Sequence, residues 1–218
     1  MLREEWFTLS KTSHISMEER KSVFIADAAP VSSAAEAEKF LSDVKKKYPD
    51  ARHHVFAWRV GGTEILQRYS DDGEPGGTAG LPVLDVLRKN NIDDAILVVT
   101  RYFGGILLGT GGLARAYGRA AFMALTEAAP SVCRTCELYH VMISYSHLER
   151  LRFTLQRAGF IIEEPTYGMD PVLPVFCRIG QKEAMERICM DATAGQAIIE
   201  YIGEKTVAMG RIGELSFE

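Results

Sequence analysis

Two glycine-rich segments constrain the fold of this chain more than any other feature. Residues 70–80 hold four glycines, one proline and three acidic residues, and residues 102–112 hold five glycines. Each segment is followed at once by apolar residues at helical spacing, and the second directly follows an apolar run typical of a buried strand. We therefore expect two loops that each lead into a helix, the second of them from a core strand.

The rest of the first half alternates strand and helix patterns. A helix after residue 33 has Ser33 and Glu36 at capping-box spacing and ends before Pro49. Gly61-Gly62 predicts a two-residue hairpin turn. Predicted strands cover residues 22–28, 53–60, 63–69 and 95–101, and predicted helices begin near Leu81 and at residue 111, the latter with Thr110 as its cap and an inner face that includes Tyr117.

A second pattern begins after a predicted linker at residues 129–131. Strand, helix, strand, strand, helix and strand are predicted at residues 138–145, 147–158, 160–167, 171–179, 181–192 and 198–209. This βαββαβ order is the ferredoxin-like order. We therefore predict an α+β protein with one domain over residues 1–130 and a ferredoxin-like domain over residues 134–218.

Composition and charge exclude several classes of protein. The formal net charge is −4, and neither half is basic, so contact with RNA requires a local patch. No apolar stretch approaches the roughly 18 residues of a membrane span. The N-terminus lacks the pattern of a secretory signal, and we expect a cytoplasmic protein without a membrane partner.

The four cysteines all lie in the second half. Cys133 and Cys136 form a C-x-x-C that follows the predicted linker, whereas Cys177 and Cys189 lie too far apart to complete a zinc ribbon. A redox C-x-x-C normally opens a helix after a strand. We therefore expect reduced thiols and predict no metal site.

The second glycine-rich segment is the strongest candidate for binding. Its glycines precede a helix start, where free N–H groups favour an anion. Thr110 stands where a phosphate-binding P-loop requires lysine, which excludes a nucleotide triphosphatase. Gly109, Gly111 and Ala114 have dinucleotide-loop spacing but lie eight residues beyond the strand. Arg101, Arg115 and Arg119 flank the segment, and their partner is either a first-loop carboxylate or a phosphate of RNA or of a small ligand.

The first segment offers Asp71, Asp72 and Glu74, which suit either a cation or their own backbone in turns. His53 and His54 are adjacent on a strand, so only one can join a site. No catalytic residue and no cofactor are predicted. The candidate ligand- or RNA-binding residues are Arg101, Tyr102, Gly104, Gly105, Gly109, Thr110, Gly111, Gly112, Arg115, Arg119, Asp71, Asp72, Glu74, Thr78 and His53.

Four blocks of sequence resemble the YigZ/IMPACT family. The two signature blocks are DDGEPGGTAGLPVL at residues 71–84 and VVTRYFGGILLGTGGLARAYG at residues 98–118, and weaker blocks lie at residues 20–26 and 51–61. Gly76 replaces a frequent serine, Leu107 a frequent lysine, and His54 and Val55 a frequent asparagine and cysteine. These differences argue against a catalytic nucleophile and an extended basic patch.

The resemblance implies a ribosomal protein S5 domain 2-like N-terminal domain beside the ferredoxin-like one, a pair similar to the last two domains of elongation factor G. Eukaryotic relatives act in translational control through an additional domain, and no reaction is established for the family. We therefore expect a non-catalytic, translation-associated protein whose partner is RNA, the ribosome or a translation factor.

Two alternatives stay open. One is a small-phosphate or nucleotide-binding protein or enzyme, in which residues 104–112 hold phosphate and the first-loop acids hold Mg²⁺. The other is that both glycine-rich loops are structural and lie against each other.

Overall fold

The structure, a computed structural model, describes residues 3–61, 64–211 and 217, with the side chains of residues 210 and 211 excepted. The chain forms two compact units, Met1–Cys133 with Ala208–Glu218, and Arg134–Val207. Both are mixed α/β units with antiparallel strand pairs. Among the described residues, no helix is long and apolar enough to cross a membrane.

The first unit contains β1 (Glu5–Leu9), β2 (Ser13–Glu19), β3 (Ser22–Pro30), α1 (Ala34–Lys47), β4 (His53–Gly61), β5 (Ile65–Ser70), α2 (Gly80–Lys89), β6 (Ala95–Tyr102) and α3 (Thr110–Glu127). Its sheet has the order β2-β3-β6-β4-β5, and every neighbouring pair is antiparallel. Helices α2 and α3 pack on one face and α1 packs on the other.

Central strand β6 is covered on both faces, which explains its unbroken apolar sequence. Leu97 and Val99 join the core under α2 and α3, while Ile96 and Val98 join the core under α1. This alternation is the two-residue period of a strand. It also places the end of β6, and therefore Arg101, inside the unit rather than on its surface.

The second unit contains α4 (Tyr145–Arg157), β8 (Ile161–Ile162), β9 (Val172–Arg178) and α5 (Lys182–Thr193), with most of β7 (Pro130–Met142) and β10 (Ile198–Arg211). Its strands have the order β10-β7-β9-β8. Its core includes Leu151, Leu155, Cys177 and Cys189, and none of these residues belongs to the core clusters of the first unit.

Several predictions about single elements are wrong. Strands β1 and β2 were not predicted, and the expected strand at residues 160–167 is reduced to Ile161–Ile162 and a bridge at Thr166. The expected linker is the start of β7. Pro130 is tolerated there because the first residue of a strand need not donate an N–H to the ladder. The predicted Gly61-Gly62 turn includes Gly62, which lies outside the described residues.

One of the two predicted helix caps is confirmed, and the other is wrong. Ser33 caps α1, since its Oγ accepts the Glu36 N–H at 3.2 Å. Glu36 does not complete a capping box with Ser33 but accepts from the Ser32 N–H at 2.7 Å. Thr110 is the first residue of α3 rather than its cap, and Gly109 occupies the cap position with φ 71° and no side chain to contribute.

Candidate functional site

The first glycine-rich loop is held in shape by Asp71. Its carboxylate accepts the N–H groups of Gly77 at 2.9 Å, Ala79 at 2.9 Å and Gly80 at 2.8 Å. Burial alone would raise the pKa of Asp71, but these three donors favour the charged form and leave the pKa below its ordinary value. Asp71 therefore supplies the N-terminal cap of α2 from nine residues upstream of Gly80.

Asp72, His53 and Thr78 also bond within this loop and the strand beside it. The Asp72 carboxylate accepts the His54 N–H at 2.6 Å and lies 3.8 Å from Lys45 Nζ. His53 Nδ1 donates to the Asp72 carbonyl at 2.8 Å, and Thr78 Oγ1 donates to the Pro75 carbonyl at 2.6 Å. These polar groups hold the loop against β4 and have partners without any ligand.

Glu74 and Arg101 form a buried ion pair that joins the two glycine-rich segments. Glu74 Oε1 lies 2.7 Å from Arg101 Nη1, and the side chains are 5% and 6% exposed. The Tyr117 hydroxyl donates to the same Oε1 at 2.7 Å. Burial, and then the bond to the Glu74 carboxylate, raise the pKa of Tyr117 far above its ordinary value, so Tyr117 stays protonated.

Arg101 is further enclosed by two aromatic rings and a serine. Its guanidinium carbon lies 5.5 Å from the ring centroids of both Phe24 and Phe103, and Nη2 donates to Ser22 Oγ at 3.3 Å. Ser22 Oγ also accepts the Gly104 N–H at 3.2 Å. Arg101 was predicted to face a ligand or a first-loop acid, and in the structure its partner is the acid.

The second loop packs by its backbone and exposes its apolar side chains. A Cβ on Gly104 would lie 2.0 Å from the Lys21 carbonyl group, so only glycine fits there. Gly105 and Gly109 have φ of 81° and 71°. Phe103, Ile106 and Leu107 are exposed, whereas the Tyr102 hydroxyl donates to Asp50 at 2.8 Å at the surface.

Arg115 and Arg119 lie on the exposed side of α3, one turn apart. The first turn of α3, which begins Thr110-Gly111-Gly112, has no acidic residue and no side-chain cap. A cleft of about 260 Å³, here called the arginine cleft, is lined by Glu19, Arg20, Leu108, Gly112, Arg115, Ala116, Arg119 and Phe217. None of its three arginines forms an ion pair with another described residue.

The structure thus divides the predicted set. Asp71, Asp72, Glu74, Thr78, His53 and Arg101 hold the two loops together, while Arg115, Arg119 and the start of α3 face the arginine cleft. Five of the eight described cleft residues were not predicted: Glu19, Arg20, Leu108, Ala116 and Phe217. Arg20 and Phe217 are distant in sequence from α3, and only the fold brings them to it. Within the described ranges, no three possible metal ligands of the His, Cys, Asp or Glu type come together.

Comparisons with known proteins match the region that contains this site. The Impact N-terminal domain family matches residues 20–125. "IMPACT family member YvyE" of Bacillus subtilis is 32% identical over 195 residues, which are 89% of this chain and 90% of YvyE. "IMPACT family member YigZ" of Escherichia coli is 42% identical over 126 residues, 57% of this chain and 62% of YigZ. A crystal structure of a hypothetical protein, 32% identical, aligns with a TM-score of 0.60 over 94% of this chain and 100% of that one.

Proposed function

The chain belongs to the IMPACT family, and from this premise we propose that it is a non-catalytic, translation-associated protein that binds RNA, the ribosome or a translation factor. The observation that carries the proposal is the arginine cleft, whose described lining has three arginines, Arg20, Arg115 and Arg119, and one carboxylate, Glu19. Guanidinium groups bind phosphate in a bidentate manner, and Arg115 and Arg119 are exposed to do so.

The rest of the surface limits how strong this binding is. The whole chain carries a formal charge of −4, so attraction to RNA comes from the cleft and not from the molecule as a whole. The exposed Phe103, on the loop that leads toward the cleft, offers an aromatic surface on which an unpaired base can stack. We expect moderate affinity that falls steeply with salt.

We also propose the fold class of each unit and a cytoplasmic location for the protein. The βαββαβ order and the strand order β10-β7-β9-β8 support a ferredoxin-like second unit, and the family resemblance supports an S5 domain 2-like first unit. The four cysteines are free and buried, which fits a reducing compartment such as the cytoplasm. The family resemblance implies a pair of domains similar to the last two domains of elongation factor G, and this expected pair supports a role in translation.

Co-sedimentation with ribosomes and with total RNA, at about 50 and 200 mM salt, tests this function. The test variant is Arg115→Glu/Arg119→Glu, and the matched control is Arg150→Glu/Arg157→Glu, which makes the same charge change on exposed positions of α4. Arg101 is left intact, because its burial in the Glu74 pair means that a substitution there alters folding.

The wild type and the control should bind at low salt, and the test variant should bind at least about tenfold more weakly. If both arginines contact phosphate, the slope of log K against log salt should fall by roughly 2 in the test variant. Equal binding by the wild type and both variants would mean that the contact with RNA or ribosomes lies outside the arginine cleft. No binding by any of them at low salt would contradict the function itself.

A second candidate function is the binding of a small phosphorylated ligand. The observation that favours it is the size of the arginine cleft, about 260 Å³, beside an α3 start without acidic residues. Thermal-shift measurements with nucleotides and phosphorylated metabolites, with and without Mg²⁺, test it. A rise in melting temperature that is lost in Arg115→Glu/Arg119→Glu would support this function, and no rise at millimolar ligand would exclude it.

A further inference from the structure

Phe217 occupies the groove between α2 and α3, far along the chain from both helices. Its ring centroid lies 5.3 Å from that of Phe122, and its edge lies 3.7 Å from where a Cβ on Gly118 would stand. A Cβ on Gly118 would also lie 4.0 Å from Pro82. The absence of a side chain at Gly118 therefore leaves a place for an aromatic ring between the helices.

The groove continues beyond the Phe217 ring on both sides. On one side is the arginine cleft, and on the other is a cleft of about 310 Å³ lined by Pro82, Asp85, Val86, Lys89, Ala114, Arg115, Gly118 and Phe217. Phe217 is 42% exposed, so its ring packs against the groove but is not enclosed by it. A groove with an aromatic position in the middle and room on either side matches a short peptide rather than a single side chain.

The charge of the groove indicates which peptide fits. Arg20, Arg119 and the acidic Glu19 line the first cleft, Lys89 and Asp85 line the second, and Arg115 lines both. Asp85 lies 3.7 Å from Arg88, outside the groove, and is partly neutralised by it. The described lining therefore carries four cations and two carboxylates. In the sequence, Phe217 stands in the run Gly213-Glu-Leu-Ser-Phe-Glu218, in which both charged residues are acidic. Acidic residues around an aromatic anchor complement a groove with surplus cations.

We propose that the α2–α3 groove is a docking site for a short acidic segment of a partner protein that inserts an aromatic side chain, and that Phe217 is the chain's own competitor for this position. A partner segment displaces Phe217 and places its acidic residues on Arg115 and Arg119. The proposal shares these arginines with the proposed function but requires no binding of RNA or of ribosomes.

Fluorescence anisotropy with a labelled peptide of the sequence Gly-Glu-Leu-Ser-Phe-Glu tests the proposal in the absence of RNA. The peptide should bind the full-length Phe217→Ala variant at least fivefold more tightly than the wild type, because the competitor is removed. A peptide with alanine in place of phenylalanine should bind neither protein. In the Phe217→Ala background, Arg115→Glu/Arg119→Glu and Gly118→Leu should each weaken binding at least tenfold, the first by charge and the second by filling the groove.

Two results would overturn the proposal when Phe217→Ala is folded. One is that the peptide does not bind at concentrations up to about 1 mM. A dissociation constant of about 1 mM corresponds to a binding free energy of only about 4 kcal/mol, so even weak recognition would be detected. The other is a labelled short RNA that gains affinity on removal of Phe217 while the peptide does not, which would assign the groove to RNA. If Phe217→Ala does not fold, the wild type is titrated with both peptides, and a lack of discrimination between them contradicts the proposal.

The outcome is separable from that of the proposed function. Co-sedimentation with ribosomes measures the arginine cleft without the peptide, and anisotropy measures the groove without ribosomes. Peptide binding without ribosome binding would support the docking groove and contradict the proposed function. Ribosome binding without peptide binding would leave Phe217 as an ordinary packing residue of the first unit.

Discussion

Glu74 fixes the first glycine-rich loop to the sheet, because its carboxylate is shared by Arg101 and Tyr117 in a site from which water is largely excluded. A buried ion pair of this kind contributes little over an apolar pair of the same shape, but the loss of one partner is costly. The Glu74–Arg101 pair therefore explains why the two glycine-rich loops keep one conformation, although their glycines allow many backbone conformations. Because both side chains are buried in the pair, the structure favours a structural role for Glu74 and Arg101 over direct contact with a partner.

Tyr117→Phe measures the contribution of the hydroxyl to this network. Hydrogen bonds to charged groups are worth about 1.5–3 kcal/mol, so the free energy of unfolding should fall by roughly that amount. Tyr102→Phe is the matched control, since its hydroxyl bonds to Asp50 at the surface and its loss should cost under about 0.5 kcal/mol. Urea denaturation of both variants gives the comparison, and equal losses would contradict the importance of the buried network.

Asp71 should make the stability of the first unit depend on pH. Its pKa is lower in the folded protein than in the unfolded chain, so its contribution is complete above the unfolded value of about 3.9 and is lost as the pH falls through the folded value. At pH 7, Asp71→Asn should lower the free energy of unfolding by about 1–2 kcal/mol. The deficit should shrink below pH 4, and a deficit that does not change with pH would contradict this account.

At the scale of elements, the second loop depends on its close approach to the turn between β2 and β3. Gly104 lies against the backbone of Lys21, and Arg20 of the same turn lines the arginine cleft. Arg20 and Lys21 both have positive φ, 46° and 65°, so the turn is tight. The loop, the turn and the start of α3 therefore form one structural group, although they are distant in sequence.

A pair of glycine substitutions tests this packing. Gly104→Ala places a Cβ on the Lys21 carbonyl group and should cost more than about 3 kcal/mol, which shows as a large fall in melting temperature. Gly76→Ser is the control, because nothing lies within 4 Å of a Cβ there, and its effect should stay within about 0.5 kcal/mol.

The helices were predictable from sequence because their apolar faces repeat every three to four residues. Tyr117 was expected on the inner face of α3, and it is fully buried. Strand β2 escaped prediction because its inner positions, Ile15 and Met17, are only partly buried between polar neighbours. The α3 cap was assigned to Thr110 from side-chain chemistry, whereas the glycine backbone at position 109 takes that place.

The candidate site was predictable as a region but not in its division of roles. Both loops and all three arginines were identified as candidates, but the prediction did not separate Arg101, which is buried, from Arg115 and Arg119, which are exposed. One indication was available: Arg101 ends an apolar strand that is covered on both faces, so its burial follows from the strand. Arg20 and Phe217 carried no such indication, because long-range packing alone brings them to α3.

At the scale of the whole molecule, the C-x-x-C motif is part of a continuous strand. Cys133 and Cys136 both lie in β7, and residues three apart on a strand face opposite sides of the sheet. Both thiols are buried, and burial raises the pKa of each. They are therefore poorly placed to share a metal ion or a disulfide, and they behave as core residues.

The thiols should serve as probes of unfolding. All four cysteines are free and buried, and burial raises the pKa of Cys177 and of Cys189 to about 12. At pH 8 a disulfide-forming reagent should find no fast-reacting thiol in the native protein and four after unfolding in urea, because reaction needs an exposed thiolate. A thiol that reacts within seconds in the native state would contradict the burial of that cysteine.

Labelling of Cys177 and Cys189 reports on the second unit, because both thiols lie in its core. Cys177 and Cys189 share a core with Leu151, whereas Leu84 belongs to a core of the first unit. Leu151→Ala should cost about 2–5 kcal/mol and accelerate labelling of Cys177 and Cys189 by a factor of about 30 or more, since labelling follows the opening of that core. Leu84→Ala makes the same truncation at another fully buried leucine and should accelerate the labelling of Cys177 and Cys189 far less. Mass spectrometry of the labelled peptides measures both rates. Equal acceleration by both substitutions would mean that the two cores unfold together, and that the units are one cooperative body.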